Sequence, residues 1–404
     1  MTYFSERLDA FPRIEPYRLV RDAGYWPFYK TVESASKPRI TVEGREVINF
    51  GSNNYLSLSY HPKVVEAAIA ATRHFGAGVT GSRLLNGTLS LHRELEGELA
   101  DFYGREAALV FTTGYVANVA AIAGYLGRGD AAVVDKEIHN SLLTGVKLSS
   151  ATMKRFRHND IGHLEKALGG LDAGAGKGII VDGVYSMGGD TAPLDRLVEL
   201  ARTTPNTFLL DDEAHGFGVL GERGLGAAEQ YGVLDTVDLI TITFSKTLGS
   251  CGGAVIASKD AIELLTLTSD TFIFTASNTP GSVAAALAAL RVMRAEPERP
   301  RQLRTNVASF LTMLADRSIP TNPVESAIVT IPLRLHDDLS TLLLALDLLD
   351  KGVFVNPVIP PASSRDIGLI RLSLMVDHDP LLLEEAADTL AKVLAEHEQF
   401  PEAL

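Results

Sequence analysis

The chain has 404 residues, of which 46% are hydrophobic and 22% are charged, a composition typical of a soluble globular protein with about two or three domains. Its net charge of −13 at pH 7 argues against a general nucleic-acid surface, because such surfaces need basic stripes. No apolar run reaches the roughly 18 residues needed to span a bilayer, and the N-terminus lacks a signal-peptide pattern. The single Cys251 excludes an internal disulfide and fits a reducing compartment, so we expect a cytoplasmic protein. We find no His/Cys spacing typical of zinc and expect no metal.

The first 50 residues are predicted to form an N-terminal arm that ends in a β-hairpin. Two alternating runs, Arg39–Val42 and Glu46–Phe50, flank a turn at Glu43-Gly44, which is a hairpin signal. The aromatic residues upstream of this hairpin would pack either on a partner subunit or on the chain's own core.

The segment Gly76–Gly81 matches the GxGxxG pattern of dinucleotide-binding proteins. That function requires a preceding strand, whereas a helix is predicted here from about Pro62 to Phe75. We therefore expect a glycine-rich loop at which the backbone approaches a ligand.

Strand–helix units then repeat up to about residue 246. Predicted strands cover 107–111, 131–134, 178–181, 207–210 and 237–243. Helices are expected from Val116 and over Thr191–Ala201. Repeats of this kind indicate an α/β fold with a largely parallel sheet and helices on both faces. We assign residues 51–294 to this large domain.

A second zone of composition begins at the charged, proline-bearing segment Ala295–Pro300, which we interpret as a linker. Beyond it we predict a small α+β domain over residues 295–404. Its elements are a strand around Ala327–Ile331, a helix over about Leu339–Leu349, a strand over Leu369–Ser373 and a last helix capped by Asp379-Pro380.

Ionisable residues follow two of the apolar strands, where ligands bind in α/β sheets. Asp212 and His215 come after one strand, and Lys246 follows the next. The segment around Asp212 also resembles the acidic strand end of an ATPase, but the sequence lacks the GxxxxGK[ST] loop: Leu171 stands where the first glycine should be. A lysine and an aspartate at neighbouring strand ends suit a cofactor that needs an imine link and an anionic partner for a pyridinium nitrogen, namely pyridoxal 5'-phosphate (PLP).

A glycine turn, Thr113-Gly114-Tyr115, separates a predicted strand from a helix. Such a turn offers free backbone N–H groups at the helix N-terminus, which can bind a phosphate. The pattern is common in βα turns, so it supports the PLP interpretation only together with Lys246 and Asp212.

Several motifs together make the chain resemble the α-oxoamine synthases, which are fold-type I PLP-dependent transferases of the aspartate aminotransferase-like kind. Within that family, two runs look most like the bacterial serine palmitoyltransferases, Ser82–Thr88 and Phe156–Asn159. The motifs that carry the family resemblance are Asn54–Leu56, Gly81–Thr88, Thr113–Tyr115, Asp212–His215, Thr243–Lys246 and Phe274–Ser277.

The resemblance implies four catalytic residues. Lys246 would form the resting imine and then accept the proton from the substrate Cα. Asp212 would pair with the pyridine N–H and keep the ring protonated. His215 would hydrogen-bond the ring oxygen, and His139 would stack over the ring.

It also implies binding residues and a homodimer with a shared active site. Thr275 would contribute to the phosphate site from the other subunit. Arg371 would hold the substrate carboxylate in a bidentate pair. The remaining candidates are Gly114, Tyr115, Thr243 and Ser245 at the phosphate, Ser186 near the ring and Asn54 near the substrate.

Members of the family condense an amino acid with an acyl thioester, lose carbon dioxide and release the thiol. The resemblance thus implies an acyltransferase that converts serine, glycine or alanine and an acyl-CoA or acyl carrier protein into an α-aminoketone. Two narrower alternatives are an 8-amino-7-oxononanoate synthase and a glycine C-acetyltransferase. A third is a non-catalytic partner subunit, although such subunits typically lack the lysine.

Overall fold

The computed structural model describes residues 2–11, 14–334, 338–359 and 368–398. The strands in chain order are β1 (Arg39–Val42), β2 (Arg45–Asn49), β3 (Ala107–Phe111), β4 (Ala131–Asp135), β5 (Thr152–Phe156), β6 (Lys177–Asp182), β7 (Thr207–Asp212), β8 (Leu239–Thr243), β9 (Gly253–Ala257), β10 (Ile328–Pro332), β11 (Val353–Phe354), β12 (Asn356–Val358) and β13 (Leu369–Ser373).

The α-helices of the same residues are α1 (Tyr3–Asp9), α2 (Ile14–Asp22), α3 (Pro62–Phe75), α4 (Ser90–Tyr103), α5 (Gly114–Ala123), α6 (Asn140–Ser149), α7 (Ile161–Gly169), α8 (Leu194–Thr203), α9 (Ala227–Gln230), α10 (Lys259–Thr268), α11 (Asp270–Ile273), α12 (Pro280–Ala295), α13 (Glu298–Asp316), α14 (Asp338–Asp350) and α15 (Pro380–Glu396). Short 3-10 turns cover Leu58–Tyr60 and Leu234–Thr236.

Within the described residues, seven strands form the central sheet in the order β3-β9-β8-β7-β6-β4-β5. Strand β9 is antiparallel to both of its neighbours, and the other pairs are parallel. Strands β4, β6 and β8 are buried along their whole length, which explains their continuous apolar and β-branched runs. The predicted α/β fold with a largely parallel sheet is confirmed.

The register of the sheet brings the site-bearing strand ends together. Asp182 at the end of β6 pairs with Asp212 at the end of β7, and Asp212 pairs with Thr241 of β8. Helix α5 packs against β3, β8 and β9. Its N-terminus follows directly after β3, and this places a helix start at the same edge of the sheet.

The N-terminal hairpin forms as predicted, with β1 antiparallel to β2. Strand β2 also pairs in parallel with β11, so the hairpin is bonded to the C-terminal part of the chain. A second small sheet has the order β10-β13-β12. The division into 1–50, 51–294 and 295–404 therefore stays a prediction, with the first and last parts joined by a shared sheet.

Three elements begin two or more residues away from the predicted start. Helix α8 begins at Leu194 rather than Thr191, because Thr191 forms a β-bridge with Val184 and Pro193 stands at the cap. Helix α5 begins at Gly114, two residues early, because the Thr113 side chain caps it by accepting the Val116 N–H. Strand β8 begins at Leu239, after a 3-10 turn.

The segment Ala295–Pro300, which we interpreted as a linker, lies mostly in helices α12 and α13. Helix α12 ends at Ala295 and α13 begins at Glu298, so only two residues separate the helices. Pro300 lies in the first turn of α13, where a proline costs no hydrogen bond. Among the described residues, no helix is both long and apolar enough to cross a bilayer.

Candidate active site

A cavity of about 270 Å³ lies beyond the carboxyl ends of β6, β7 and β8. All of the predicted cofactor-binding residues except Thr275 line it. The lining residues are Thr113, Gly114, Tyr115, Asn118, His139, Ser141, Asp182, Ser186, Asp212, Ala214, His215, Thr243, Ser245 and Lys246. The fold thus gathers residues that are far apart in the sequence.

One end of the cavity is suited to an anion. Gly114 and Tyr115 are the first residues of α5, whose N-terminal N–H groups have no intrahelical acceptor. Thr243 and Ser245 stand opposite, with their hydroxyls 2.8 Å apart. A Cβ on Gly114 would lie 2.6 Å from Cβ of Thr243, so only glycine permits this close approach. The cluster has the donors that a phosphate group requires.

The Asp212 carboxylate is buried and held from two sides. Its Oδ2 accepts a 2.6 Å hydrogen bond from the Asn118 side chain, and its Oδ1 accepts the backbone N–H of Ala214 at 3.0 Å. These bonds fix the carboxylate at the cavity wall. A fixed, buried acid at this place can pair with a cationic N–H of a ligand.

Lys246, His215 and Tyr55 form a hydrogen-bonded chain. Nζ of Lys246 lies 2.9 Å from Nε2 of His215, and Nδ1 of His215 lies 2.6 Å from the Tyr55 hydroxyl. Burial lowers the pKa of His215 well below its usual value, and the charges of Lys246 and Arg371 lower it further. The imidazole is therefore neutral, with its Nε2 lone pair directed at Lys246.

The pKa of the Lys246 amine is lowered, which suits this amine to proton transfer. Burial lowers its pKa to about 8, the Asp212 charge opposes this shift, and the Arg371 charge supports it. A substantial fraction of neutral amine thus exists near pH 7 to 8, as a base or nucleophile requires. Burial raises the pKa of Tyr55 to about 12, so its hydroxyl remains protonated.

His139 and Asp182 form another wall of the cavity. Burial lowers the pKa of His139, so this ring is a neutral, flat surface able to stack on an aromatic ligand. Its backbone N–H donates to Oδ2 of Asp182 at 2.8 Å. Burial and the nearby Asp212 charge raise the pKa of Asp182 well above its usual value.

Arg371 is only 5% exposed and comes from β13. Its Nε donates to the Ser186 carbonyl at 2.7 Å and its Nη2 donates to the Asn53 side chain at 3.1 Å. Within the described part of the chain no carboxylate forms an ion pair with it. A buried guanidinium without a counter-ion is costly unless a ligand supplies the charge.

Three predicted site residues are not among the residues that line this cavity: Arg371, whose contacts are given above, Thr275 and Asn54. Thr275 is half-buried next to the glycine-rich loop, where Ala276 forms a bridge with Ser82. Its predicted role in the other subunit's site stays a prediction. The Asn54 amide donates to the Ser36 carbonyl and to the Ser59 hydroxyl, each at 2.9 Å, so its hydrogen bonds are internal.

The sequence analysis missed several residues of the site. Asn118 could have been found from its position four residues after Gly114 on α5, one turn along the same face. Asp182 ends a strand like Asp212 and had the same signal. Tyr55 was noted only as part of the motif Asn54–Leu56, and Asn53 carried no local signal, because only tertiary packing brings these two residues to His215 and Arg371.

PLP fits these residues. The donor cluster at Gly114 suits its phosphate, and the Asp212 carboxylate suits its pyridine N–H. The Lys246 amine, with its lowered pKa, suits its aldehyde. The buried Oδ1 of Asn118 has no hydrogen-bond partner among the described residues, which leaves an acceptor beside the carboxylate. Fold and site together define a fold-type I PLP-dependent transferase.

Comparisons with known proteins agree. The model of the family "Aminotransferase class I and II" matches residues 45–390. The chain is 36% identical to a serine palmitoyltransferase of Sphingobacterium spiritivorum, covering 98% of this chain and 97% of the relative. It is 40% identical to an 8-amino-7-oxononanoate synthase of Geobacter sulfurreducens, covering 93% and 95% of the two chains.

Solved structures show the same likeness. The serine palmitoyltransferase of Sphingomonas wittichii superposes with a TM-score of 0.93 at 34% identity, over 98% of this chain and 99% of the other. A serine palmitoyltransferase solved with PLP gives a TM-score of 0.92 at 32% identity, over 97% and 99%. The chain belongs to the class I and II aminotransferase family, and within it to the α-oxoamine synthases.

Proposed function

We propose that this chain is a PLP-dependent acyltransferase that condenses a small amino acid with an acyl thioester. The products are an α-aminoketone, carbon dioxide and the free thiol. The observation that carries the proposal is the placement of an amine of lowered pKa, a fixed carboxylate and a donor cluster around one cavity. Serine palmitoyltransferases that match nearly the whole chain support serine as the amino acid and a long acyl thioester as the donor.

The bound cofactor would be held by the residues already described. The α5 N-terminus, Thr243 and Ser245 would bind its phosphate, and Asp212 would keep a proton on its ring nitrogen. His139 would cover the ring face, which keeps water from it. When bound, PLP supplies an electron sink that stabilises negative charge at the substrate Cα.

The chain's own residues would then handle substrate and protons. Arg371 would bind the amino-acid carboxylate, because its guanidinium is buried and lacks an ion-pair partner among the described residues. Lys246 would accept the proton from Cα as a neutral amine. His215 would orient this amine through the 2.9 Å contact and stay neutral throughout.

We also propose a homodimer whose subunits share the active site, with Thr275 reaching the partner's phosphate site. Large apolar side chains near Thr275 are exposed, including Leu85 at 79% and Phe274 at 81%. Exposed apolar clusters of this kind mark interfaces. Light scattering of a Phe274→Glu variant should show more monomer and weaker PLP binding than a Leu267→Glu control, whose side chain is 72% exposed on α10. If Phe274→Glu remains as dimeric as the control, this surface is not the dimer interface.

The single, exposed Cys251 is consistent with the cytoplasmic location that we also propose.

The second candidate is an 8-amino-7-oxononanoate synthase or a glycine C-acetyltransferase, favoured by the 40% identity to a synthase of the first type. A non-catalytic partner subunit is disfavoured because Lys246 is present and lies in the cavity. These candidates differ in substrates, not in the site described here.

One assay separates them. The purified protein is given serine, glycine or alanine with short, dicarboxylic or long acyl thioesters, on coenzyme A or on a carrier protein, and thiol release and product mass are measured. Serine with a long acyl chain should be turned over best. Turnover of alanine with a dicarboxylic thioester would favour the first alternative, and turnover of glycine with an acetyl thioester the second. No turnover until a second chain is added would establish the partner-subunit function.

A further inference from the structure

The motif Phe156–Asn159 has no role in the cavity, yet its histidine is held by two carboxylates. His158 follows β5, and its ring lies between Asp135 at the end of β4 and Asp190 in the loop after β6. Nδ1 lies 3.0 Å from Oδ1 of Asp135, and Nε2 lies 2.7 Å from Oδ2 of Asp190. The ring packs edge-on against Tyr185, with a centroid distance of 4.4 Å.

Both ring nitrogens face carboxylate oxygens, so both can be satisfied only if both carry a proton. Burial alone would lower the pKa of His158, but the hydrogen bonds and charges of Asp135 and Asp190 outweigh it and raise the pKa to about 10. Asp135 also accepts the backbone N–H groups of Glu137 and Asn159, so its position is fixed independently. The charged ring therefore links three strand-end segments.

Two of these segments carry residues of the active site. The segment after β4 leads from Asp135 to His139. The segment after β6 is a tight turn in which Tyr185 donates its N–H to the Asp190 carbonyl at 2.9 Å. This turn contains Ser186, whose carbonyl accepts the 2.7 Å hydrogen bond from Arg371.

We propose that His158 is a positioning residue for the amino-acid substrate: as an imidazolium between Asp135 and Asp190 it fixes the 185–190 turn, and through the Ser186 carbonyl it fixes Arg371. The proposal rests on the proposed function, in which Arg371 binds the substrate carboxylate. Loss of the charged ring would loosen the turn, so Arg371 would hold the carboxylate less well. The Asp212 and Lys246 groups would keep their own contacts.

The two charged groups that face the His158 ring are both carboxylates, and both favour the protonated ring. Asp135 and Asp190 face it directly. Burial and the charge of Asp135 raise the pKa of Tyr185 well above its usual value, and the charge of Asp182 raises it further, so the phenol remains neutral. Because the folded pKa is raised, the stabilisation from His158 is complete below about pH 6.5 and is lost as the pH rises through about 10.

The test compares His158→Gln with His74→Gln, which makes the same change at an exposed histidine of α3. In the holoenzyme, amino-acid affinity is measured from the change in the cofactor's visible absorbance, and PLP affinity is measured separately. We expect His158→Gln to weaken amino-acid binding roughly two- to thirty-fold, with PLP affinity and the His74→Gln control unchanged. An unchanged amino-acid affinity, or an equal loss of PLP affinity, would overturn the proposal.

Two further measurements cover a His158→Gln variant that fails to fold. Asp190→Asn keeps an acceptor at 2.7 Å from Nε2 but removes its charge, and should weaken amino-acid binding in the same direction. In the wild-type protein, nitrogen NMR of labelled histidines should show His158 with both ring nitrogens protonated at pH 8.5; a neutral ring there would overturn the proposal.

If Arg371→Ala leaves amino-acid affinity unchanged, the proposed function of Arg371 fails; if only the His158 and Asp190 variants leave it unchanged, this inference fails alone.

Discussion

Nζ of Lys246 lies 2.9 Å from Nε2 of His215, and the other nitrogen of the same ring lies 2.6 Å from the Tyr55 hydroxyl. A neutral imidazole has one N–H. Because Nε2 accepts from the lysine, Nδ1 carries the proton and donates it to Tyr55, whose own hydroxyl can donate to Asn53 at 3.3 Å. The chain of contacts thus fixes the tautomer that leaves an acceptor beside the amine.

Removing the Tyr55 hydroxyl should disturb this tautomer. In Tyr55→Phe the Nδ1–H loses its buried acceptor, at a cost of about 1–3 kcal/mol. The other tautomer, with the proton on Nε2, would then donate to the amine's lone pair and compete with proton transfer. We expect a lower kcat and a changed nitrogen NMR signal of His215. Tyr125→Phe is the matched control, because Tyr125 donates to the Ala261 carbonyl at 2.7 Å away from the site. Equal effects of the two variants would contradict the account.

Adding a methyl group at Gly114, where α5 passes close to Thr243 at the end of β8, should weaken PLP binding. In Gly114→Ala the new Cβ would meet Thr243 at 2.6 Å, and overpacking of this kind costs about 1–3 kcal/mol. We expect a roughly five- to hundred-fold loss of PLP affinity, measured by titrating the apoprotein and following fluorescence. Gly97→Ala in α4 is the control, since no described atom lies within 4 Å of a Cβ there, apart from its chain neighbours and the backbone of its own helix. PLP affinity of Gly114→Ala equal to that of the control would count against a phosphate site at this helix start.

The pH dependence of cofactor uptake should report Lys246. Its pKa is lowered to about 8, so the neutral, nucleophilic amine accumulates as the pH rises through 8. The recombination rate of apoprotein with PLP should therefore rise with pH and level off above about 9. Because Asp212 opposes the lowering, Asp212→Asn should move the midpoint to a lower pH. A rate that is flat between pH 6.5 and 9 would contradict a titrating Lys246.

Replacing Arg371 should separate substrate binding from cofactor binding. Truncation to alanine removes the only counter-charge that we assign to the substrate carboxylate, so amino-acid affinity should fall by one to two orders of magnitude, about 1.5–3 kcal/mol. Arg371→Lys should recover only part of it, because lysine cannot form the bidentate pair. Both variants should keep the visible absorbance of bound PLP. Unchanged amino-acid affinity in Arg371→Ala would refute this role.

Much of the fold was predictable because strands such as β6 and β8 are buried on both faces and read as continuous apolar runs. The helix boundaries that failed depend on neighbours: Thr191 is extended because Val184 pairs with it, which no local pattern indicates. The charged segment before α13 looked like a linker because its prolines fit a helix start as well as a loop.

The part of the candidate site that lies at strand ends was predictable from the sequence. Asp212 and Lys246 follow buried strands, and the parallel sheet brings such ends to one edge. Tyr55 was missed because its role depends on a tertiary contact with His215, whereas Asn118 lies one helical turn after Gly114 and could have been found. Arg371 was assigned from the family resemblance alone, since an arginine in a strand gives no sign of being buried.

The most direct test of the account is the covalent site of the cofactor. Holoenzyme is reduced with borohydride, digested, and searched by mass spectrometry for the lysine that carries the cofactor. We predict modification at Lys246, and none at Lys177, a buried lysine whose Nζ donates instead to backbone carbonyls such as that of Ala175 at 2.8 Å. Modification at another lysine, or retained turnover in Lys246→Ala, would contradict the central claim.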